Sequence, residues 1–429
     1  MISYTENLLH YVWKYRLFNP VGLVTHTGEP VEIIDTGLHN SHAGADFFNA
    51  KVKIGDKLWA GNVEIHLRSD DWYRHGHHTD KAYNSVILHV VDEIKGDVAN
   101  EKGRSIPQMK LPIAQHIKQN AQQLLQSEQS LPCKAHIPTI NRSYIRSWLD
   151  NLMIERLERK TNDIEQHLDR FNNSWDQTFY VLLTRNFGFG LNASSFERLA
   201  LSLQYNIIQK HTNNLFQVEA LLFGQAGMLQ SADITDEYYL ALQKEYNFLR
   251  HKYQLTPIEE HLFKKLRVRP GAFPQIRIAQ LAALFQQSGR LFSSIIQIED
   301  YRVMRMHFQS QVSEYWKTHY TFGRPSPSRP KAMGESSLDL IIINTVVPLL
   351  FAYGKKTDQA TYCERALTIL EQIKAERNSI VNTFAQAGIP IESAYDSQAA
   401  IQLKREYCDP RKCLYCQIGY KVLSKTKHY

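Results

Sequence analysis

The sequence contains 429 residues, of which 43% are hydrophobic and 22% are charged. This length is well above the roughly 150 residues of a typical domain, so we expect two or three packed units. The composition excludes a disordered chain, a collagen-like chain and a small disulfide-stapled scaffold. The net charge of +7 is a mild excess for this length and does not by itself require a nucleic-acid partner.

The beginning of the sequence lacks the basic segment and the apolar run of a secretory signal, which predicts a cytoplasmic protein. The longest apolar stretch, Leu340 to Tyr353, is 14 residues long and contains Asn344 and Pro348. A bilayer-spanning helix needs about 20 apolar residues. We therefore expect no membrane partner.

The first 115 residues predict a module of one helix followed by β-strands. Apolar residues recur at helical spacing within the first 18 residues. Strand-like apolar runs separated by Gly and Asp turns then follow, at residues 31–34, 47–54, 58–67, 86–91 and 106–111. Nine of the 18 histidines lie in this first quarter of the sequence, which favours a functional role for some of them.

Two acidic residues on a predicted hairpin are candidate metal ligands. Glu64 and His66 are two residues apart on one strand, so their side chains share a face. If the hairpin loop has three residues, Ile54 pairs with Leu58, and Asp46 lies opposite His66 on that face. A two-residue loop would instead put Asp46 on the opposite face.

Two carboxylates on one face can share Mg²⁺ or Mn²⁺, because hard cations prefer carboxylate oxygen. Such an ion would polarise a phosphodiester and lower the pKa of a bound water molecule. His66 would accept the proton of that water or position it. The alternative interpretation is that Asp46 and Glu64 are solvated residues on a hairpin whose other face is packed.

A histidine-rich loop follows the hairpin. His75, His77, His78 and Asp80 form a short segment whose imidazoles suit a transition metal. The alternative is a solvated turn in which Asp80 or Thr79 caps the next helix. His89 lies in an apolar strand, either as a hydrogen-bonded core residue or facing the same cleft as Glu64.

The pattern from Ile117 to about Leu403 is helical almost throughout and is interrupted by proline-containing segments. It predicts a large helical domain. The fold class is therefore α+β, with domains at residues 1–115, 116–403 and 404–429. The last segment carries seven Lys or Arg and two acidic residues, a local charge of +5.

Basic residues in the helical domain are candidates for nucleic-acid contacts. Arg267, Arg269 and Arg277 surround a Pro-Gly-Ala-Phe-Pro turn, and a guanidinium matches phosphate oxygens bidentately. Arg68 is a further candidate beside the acidic hairpin. The alternative is that the three arginines of the turn pair with internal carboxylates such as Glu219 or Glu245.

The C-terminal segment contains Cys408, Cys413 and Cys416, a spacing that lets the thiolates reach one metal centre. Structural zinc and ordinary iron–sulfur clusters need a fourth ligand, for which Cys133, Cys363 and His428 are the candidates. Both cofactors remain open. The alternative is a group of reduced cysteines on a basic tail.

The order of helix, Asp46 at a strand opening and Glu64 on the next strand resembles the PD-(D/E)XK phosphodiesterase superfamily. The resemblance implies a restriction-endonuclease-like module in which Asp46 and Glu64 hold the metal and Glu6 is an additional acid. His66 stands where that family usually has Lys. Some of these nucleases bind an iron–sulfur cluster through one distant and three late cysteines, which implies such a role for Cys133 with the C-terminal group.

Across nearly its whole length the sequence is also similar to a bacterial family catalogued as domain of unknown function 2851. The segments that carry this similarity are residues 61–66, 86–91, 219–227, 267–280 and 408–419. This family implies a full-length unit and no particular reaction.

Three hypotheses follow. The first is a divalent-metal-dependent nuclease acting on DNA or RNA, or an inactive relative of one. The second is a non-catalytic nucleic-acid-binding or assembly protein, and the third is a zinc-dependent hydrolase built from the histidine-rich loop. The sequence does not determine the oligomeric state.

Overall fold

The computed structural model describes residues 5–40, 42–288 and 291–425. The chain divides into two compact units. Unit 1 contains residues 1–150, 382–390 and 400–429, and unit 2 contains residues 151–381 and 391–399. About 54% of the structure is helical, so the fold is mixed α/β with a large helical part.

Unit 1 is built on one mixed sheet, with strand order β1-β3-β4-β5-β6 and β2 paired to β3. The β1–β3, β2–β3 and β3–β4 pairs are antiparallel, whereas the β4–β5 and β5–β6 pairs are parallel. The strands are β1 (Val31–Asp35), β2 (Leu38–His39), β3 (Phe47–Ile54), β4 (Lys57–Arg68), β5 (Val86–Glu93) and β6 (Gln108–Lys110). These bounds confirm the five predicted strand segments to within a few residues.

The hairpin has the second of the two registers considered from the sequence. Ile54 pairs with Lys57, so the loop has two residues and the Ile54–Leu58 pair of the three-residue alternative is not formed. Between this turn and Phe47 the strand β3 contains one extra residue, because Phe47 pairs with Val63. Asn49 lies in this bulge with a left-handed φ of 57°. A shift of one residue in the register exchanges the two faces of a strand. The shift caused by the bulge therefore cancels the shift caused by the two-residue turn.

Helix α1 (Glu6–Lys14) covers one face of the sheet. Its buried residues recur at helical spacing and include Trp13, whose indole N–H donates to the carbonyl of Thr36. On β4, Val63 and Ile65 alternate with Glu64 and His66, and all four side chains are buried. Since successive side chains on a strand point to opposite faces, Glu64 and His66 face away from Val63 and Ile65.

The remaining helices of unit 1 follow the sheet in sequence or lie near the end of the chain. The Asn120 amide donates to the carbonyl of Val422, which ties the helix Gln115–Gln126 to the helix Gln417–Leu423. These helices are α2 (Asp71–Arg74), α3 (Gln115–Gln126) and α19 (Gln417–Leu423), and α4 (Arg142–Arg170) continues into unit 2.

Unit 2 consists of helices and one short hairpin. The predicted helical stretches 144–164, 238–253, 276–285 and 363–373 are confirmed as parts of α4, α9, α10 and α16. The helices are α5 (Trp175–Phe187), α6 (Ala193–Ser202), α7 (Tyr205–Gln209), α8 (Leu215–Gln225), α9 (Glu237–Tyr253), α10 (Pro274–Gln287), α11 (Leu291–Gln297), α12 (Tyr301–His307), α13 (Glu314–Thr318), α14 (Glu335–Ile341), α15 (Val347–Lys356) and α16 (Ala360–Gln372). The helices α17 (Ser379–Gln386) and α18 (Ala394–Leu403) each contain residues of both units. The hairpin strands are β7 (His319–Thr321) and β8 (Arg324–Pro325).

The compact units do not coincide with the three domains expected from the sequence. Unit 1 continues past residue 115 to Asp150, and it includes residues 400–429, whose last 26 residues we expected to pack on the body as a C-terminal segment. The change in the sequence pattern near residue 115 shows where strands are followed by helices. It does not show which of those helices pack on the sheet.

One helical segment within the described residues is long and apolar enough to cross a membrane. It runs from Glu335 to Lys356, because a π-helical turn joins α14 to α15, and it is longer than the 14-residue stretch noted from the sequence. Its most apolar window has a mean hydropathy of 1.7 and is 72% buried. Length and composition of this kind are weak evidence for membrane insertion, since the core helix of a folded protein has the same properties.

Candidate functional site

Five elements of unit 1 bring histidines and carboxylates together. Helix α1 supplies Glu6 and His10, the residue directly before β3 is Asp46, and β4 supplies Glu64 and His66. The loop after α2 adds His75 and His77, and β5 adds His89. These residues form one contiguous group, although they come from positions 6 to 89 of the sequence.

Asp46 and Glu64 are neighbours, as the metal hypothesis requires. The backbone N–H of Asp46 donates to Oε2 of Glu64 at 3.2 Å, and the backbone N–H of Ile65 donates to Oδ2 of Asp46 at 2.9 Å. Burial of Glu64, together with the charge of Asp46, raises the pKa of the Glu64 carboxyl. The predicted proximity is therefore present, but it arises from the bulge at Asn49 and not from the register of a three-residue loop.

Three imidazoles lie close together, and two of them lie beside Glu64. One ring nitrogen from each of His66, His75 and His77 falls within 4.8 Å of the other two. Nδ1 of His75 is 3.1 Å from Nε2 of His66, and Oε1 of Glu64 is 3.2 Å from Nε2 of His77 and 3.5 Å from Nε2 of His66. We call these four residues the histidine site. His66 and His77 are buried, at 1% and 8% exposure, whereas His75 is exposed to solvent.

A short turn after β4 carries His75 and His77 back over the strand. Asp71 anchors its start, since its carboxylate accepts the backbone N–H of Arg68 and pairs with Arg74. Trp72 is fully buried and its indole N–H donates to the carbonyl of Ala99. Gly76 has a φ of 78°, which lets the chain reverse between the two histidines.

The buried imidazoles are held in their neutral form. Burial lowers the pKa of His66 to about 2 and that of His89 to about 3, and the neighbouring histidines act in the same direction. Nδ1 of His66 is 2.9 Å from Nε2 of His89. Nε2 of His77 is buried, and its 3.2 Å contact with Oε1 of Glu64 does not have hydrogen-bond geometry. Neutral imidazole is the form that binds metal ions.

His10 and Asp46 form an acid–base pair next to the histidine site. Nε2 of His10 is 3.4 Å from Oδ2 of Asp46 and 3.9 Å from Oε1 of Glu6. Burial opposes protonation of His10, but the hydrogen bond to Asp46 and the charges of Asp46 and Glu6 outweigh it and raise the pKa of His10. The side chain of Asp46 is 21% exposed, so this pair is accessible to water.

Other residues of the predicted loop site point elsewhere. The ring of His78 packs against Tyr73, and the carboxylate of Asp80 accepts the backbone N–H of Ala82 as a helix cap. Arg68 is exposed and pairs with Asp70. Of the expected loop ligands, only His75 and His77 thus belong to the histidine site.

The three arginines of the turn that were proposed for nucleic-acid contact lie in unit 2. Arg277 is half-buried, stacks over the ring of Phe189 and donates to Gln280. Burial lowers its pKa to about 10. Arg267 and Arg269 are on the turn before α10, which begins at Pro274. The packing of Arg277 favours a structural role for that residue.

Four of the five cysteines lie in unit 1, and the fifth lies in unit 2. Cys133, Cys408, Cys413 and Cys416 are all buried in unit 1. Cys363 lies on α16 in unit 2, where its thiol faces the carbonyl of Phe351. His428, the alternative fourth ligand, lies outside the described residues.

Sequence reasoning missed His10. It lies four residues after Glu6 and therefore on the same face of α1, which is a detectable signal. Its partner Asp46 is 36 positions away, so the pairing becomes visible only when α1 packs on β4.

Comparison with known proteins gave one match. Searches of curated proteins and of solved structures found no matching protein. They therefore add no support for the PD-(D/E)XK resemblance. A family model described as "Protein of unknown function (DUF2851)" matches residues 6–379. Because this match covers most of the chain and confirms the similarity seen in the sequence, the protein belongs to the DUF2851 family.

Proposed function

We propose that the protein is a metal-dependent hydrolase whose metal ion binds at the histidine site. The observation that carries this proposal is the cluster of three imidazole nitrogens, two of which lie beside the carboxyl group of Glu64. The pKa of Glu64 is raised by burial, and the neutral imidazoles beside it provide no positive charge to stabilise its ionised form. A bound cation would stabilise that form and displace the proton.

The donor atoms favour a transition metal such as Zn²⁺ or Mn²⁺ over Mg²⁺, because imidazole nitrogen suits the former and Mg²⁺ prefers oxygen. Bonds of about 2.1 Å to a tetrahedral ion place its ligand atoms about 3.4 Å apart. Three separations between donors of the histidine site, of 3.1, 3.2 and 3.5 Å, are close to this spacing.

The chain supplies separate groups for metal binding and for proton transfer. His66, His75, His77 and Glu64 hold the ion, and solvent reaches it on the exposed side of His75. A transition-metal ion lowers the pKa of a bound water molecule towards neutrality. Asp46, paired with His10, then accepts the proton from that water.

Phosphodiesters are the substrate class that we propose. Glu6 on α1, Asp46 directly before β3 and Glu64 on β4 follow the order of acids in the PD-(D/E)XK resemblance. β5 pairs in parallel with β4, so the sheet continues beyond the β3–β4 hairpin. His66 replaces the lysine of that pattern and acts in this proposal as a metal ligand.

Metal analysis and hydrolysis assays test the proposal on the full-length protein. We expect about one Zn²⁺ or Mn²⁺ per chain, and cleavage of bis(p-nitrophenyl) phosphate, single-stranded DNA or RNA. His77→Ala should lose both metal and activity. Asp46→Asn should keep the metal and reduce the rate by at least ~100-fold.

His78→Ala is the matched control, because His78 is in the same loop but packs on Tyr73 instead of joining the site. It should retain metal and activity. Metal binding that survives His77→Ala would refute the ligand assignment. Stoichiometric metal without cleavage of any of these phosphodiesters would refute the proposed reaction.

A further inference from the structure

Four cysteines from distant parts of the sequence converge in unit 1. Cys133 lies in the turn before α4, whereas the other three lie within nine residues near the end of the chain. A π-helical turn ends at Cys408, and a 3₁₀ turn begins at Cys413 and is followed directly by Cys416. The thiols are between 8% and 9% exposed. We call these four residues the cysteine group.

Hydrogen bonds hold the two segments together around these thiols. The guanidinium of Arg411 donates to the carbonyl of Gln129 at 2.9 Å. The hydroxyl of Tyr144 donates to Gln417 at 2.5 Å. Gly419 is packed so closely on the carbonyl of Cys413 that a Cβ atom would lie 2.0 Å from that oxygen. The approach of Cys133 to the late cysteines is therefore built into the fold.

The spacing of the sulfurs distinguishes two kinds of metal centre. Each pair of cysteines in this group is close enough for the charges of the two thiolates to interact. Yet no three of these sulfurs lie within 4.8 Å of one another in the part of the chain that the structure describes. A single Zn²⁺ needs sulfurs about 3.8 Å apart, given Zn–S bonds of about 2.3 Å. A cubane cluster separates its thiolates more widely, because each binds a different iron.

We propose that the cysteine group binds a [4Fe–4S] cluster through all four thiolates, independently of the histidine site. The cluster fastens the end of the chain to the segment that precedes α4. Four buried thiols that come from two distant segments have no other shared partner among the described residues. Four thiolates are the ligand number of this cluster.

The surroundings of the cysteine group suit an anionic cluster. The positive charges of Lys404 and Arg411 lie near the thiols of Cys408 and Cys413, respectively. The backbone N–H groups of Ile418 and Gly419 point at the sulfur of Cys416, and the buried indole N–H of Trp148 lies beside it. Hydrogen bonds to sulfur and compensating charges stabilise iron–sulfur centres. The negative charge of the proposed cluster balances part of the positive charge of residues 404–429.

Anaerobic purification of the full-length protein, followed by reconstitution with iron and sulfide, tests this proposal. We expect a brown protein with about four iron ions and about four inorganic sulfides per chain. Reduction with dithionite should give the electron paramagnetic resonance signal of a reduced cubane. A colourless protein with one zinc and no sulfide, or one that takes up no iron, would overturn the proposal.

Single variants then assign the ligands. Cys133→Ser and Cys408→Ser should each lose most of the iron and sulfide, whereas the matched control Cys363→Ser should keep both. Full iron content in Cys133→Ser would remove that residue from the ligand set. If a variant fails to fold, the iron, sulfide and resonance measurements on the parent protein still decide whether a cluster is present.

Discussion

The geometry of the histidine site depends on a single backbone conformation, that of Asn49. The two-residue turn at the end of the hairpin would by itself send Asp46 to the face opposite Glu64. The extra residue at Asn49 returns Asp46 to the side of Glu64, where it contacts His10. Asn tolerates a positive φ better than most residues, so the residue type fits the bulge.

Replacing Asn49 by Val should disrupt the site from a distance. Val strongly disfavours a φ of 57°, and the strain should cost about 1–3 kcal/mol of unfolding free energy. If the bulge relaxes, Asp46 moves away from Glu64 and the histidine site loses its neighbouring acid. Thermal unfolding and hydrolysis rates measure the two effects. Asn49→Gly is the control and should retain both properties, because Gly adopts positive φ readily.

His89 should position His66 for metal binding. Nε2 of His89 accepts from Nδ1 of His66 when that nitrogen is protonated, which leaves Nε2 of His66 free to bind the ion. His89→Leu removes the acceptor and should weaken metal affinity by roughly 10–100-fold. Competition with a chromophoric chelator measures this change. His89→Gln retains an acceptor oxygen and should bind more tightly than His89→Leu; equal affinities would contradict the positioning role.

At the scale of elements, unit 2 contains a buried acid where two helices meet. Glu219 on α8 is fully buried and accepts the hydroxyl of Tyr238 on α9. Burial raises the pKa of Glu219 from 4.5 to about 7, although hydrogen bonds from neighbouring side chains oppose this shift. The α8–α9 packing should therefore respond to pH near neutrality.

Stability should fall as pH rises from about 4.5 to 7, because the folded state binds the Glu219 proton more tightly than the unfolded state does. The contribution is fully present below the unfolded pKa and is lost as the carboxyl ionises through its folded pKa. Glu219→Gln removes this titration. We expect its unfolding free energy, relative to that of the parent, to rise by about 3 kcal/mol between pH 5 and pH 8.

Urea unfolding at the two pH values measures this difference. Glu237→Gln, which changes an exposed acid on α9, is the control and should leave the pH dependence of the parent in place. A Glu219→Gln variant whose stability follows that of the parent at both pH values would show that Glu219 is not the responsible group.

At the scale of the whole molecule, most of the excess positive charge lies in the segment that contains the three late cysteines. The excess of +5 at the end of the sequence belongs to the same segment as three buried thiols. Within unit 1 this segment contacts residues 120–148 through hydrogen bonds and the cysteine group. A tail that appears in the sequence as a separate basic region is thus an integral part of a folded unit.

Loss of the proposed cluster should expose this segment to proteases. In Cys408→Ser we expect faster trypsin cleavage after Lys404, Arg411 or Lys412 than in the parent protein. Mass spectrometry of early fragments identifies the sites. Cys363→Ser should show the parent pattern. Unchanged cleavage in an iron-free Cys408→Ser variant would show that the cluster does not fasten the segment.

Much of the local structure could be predicted from the sequence. The alternation of residues in β4 correctly put Glu64 and His66 on one face, and apolar spacing located α1 and the long helices. The candidate site was predicted in part: Asp46, Glu64 and His66 lie together, and the loop adds His75 and His77. The bulge was not predicted, because positive φ at one Asn leaves no periodic signal.

The sequence by itself determined the mixed fold class, the strand and helix segments, and the family to which the chain belongs. Periodicity records which face of an element is buried, and this property is local. Only the tertiary structure decided that His10 meets Asp46, that His75 and His77 return to His66, and that Cys133 joins the late cysteines. These contacts join residues from separate segments, and packing of whole elements determines them.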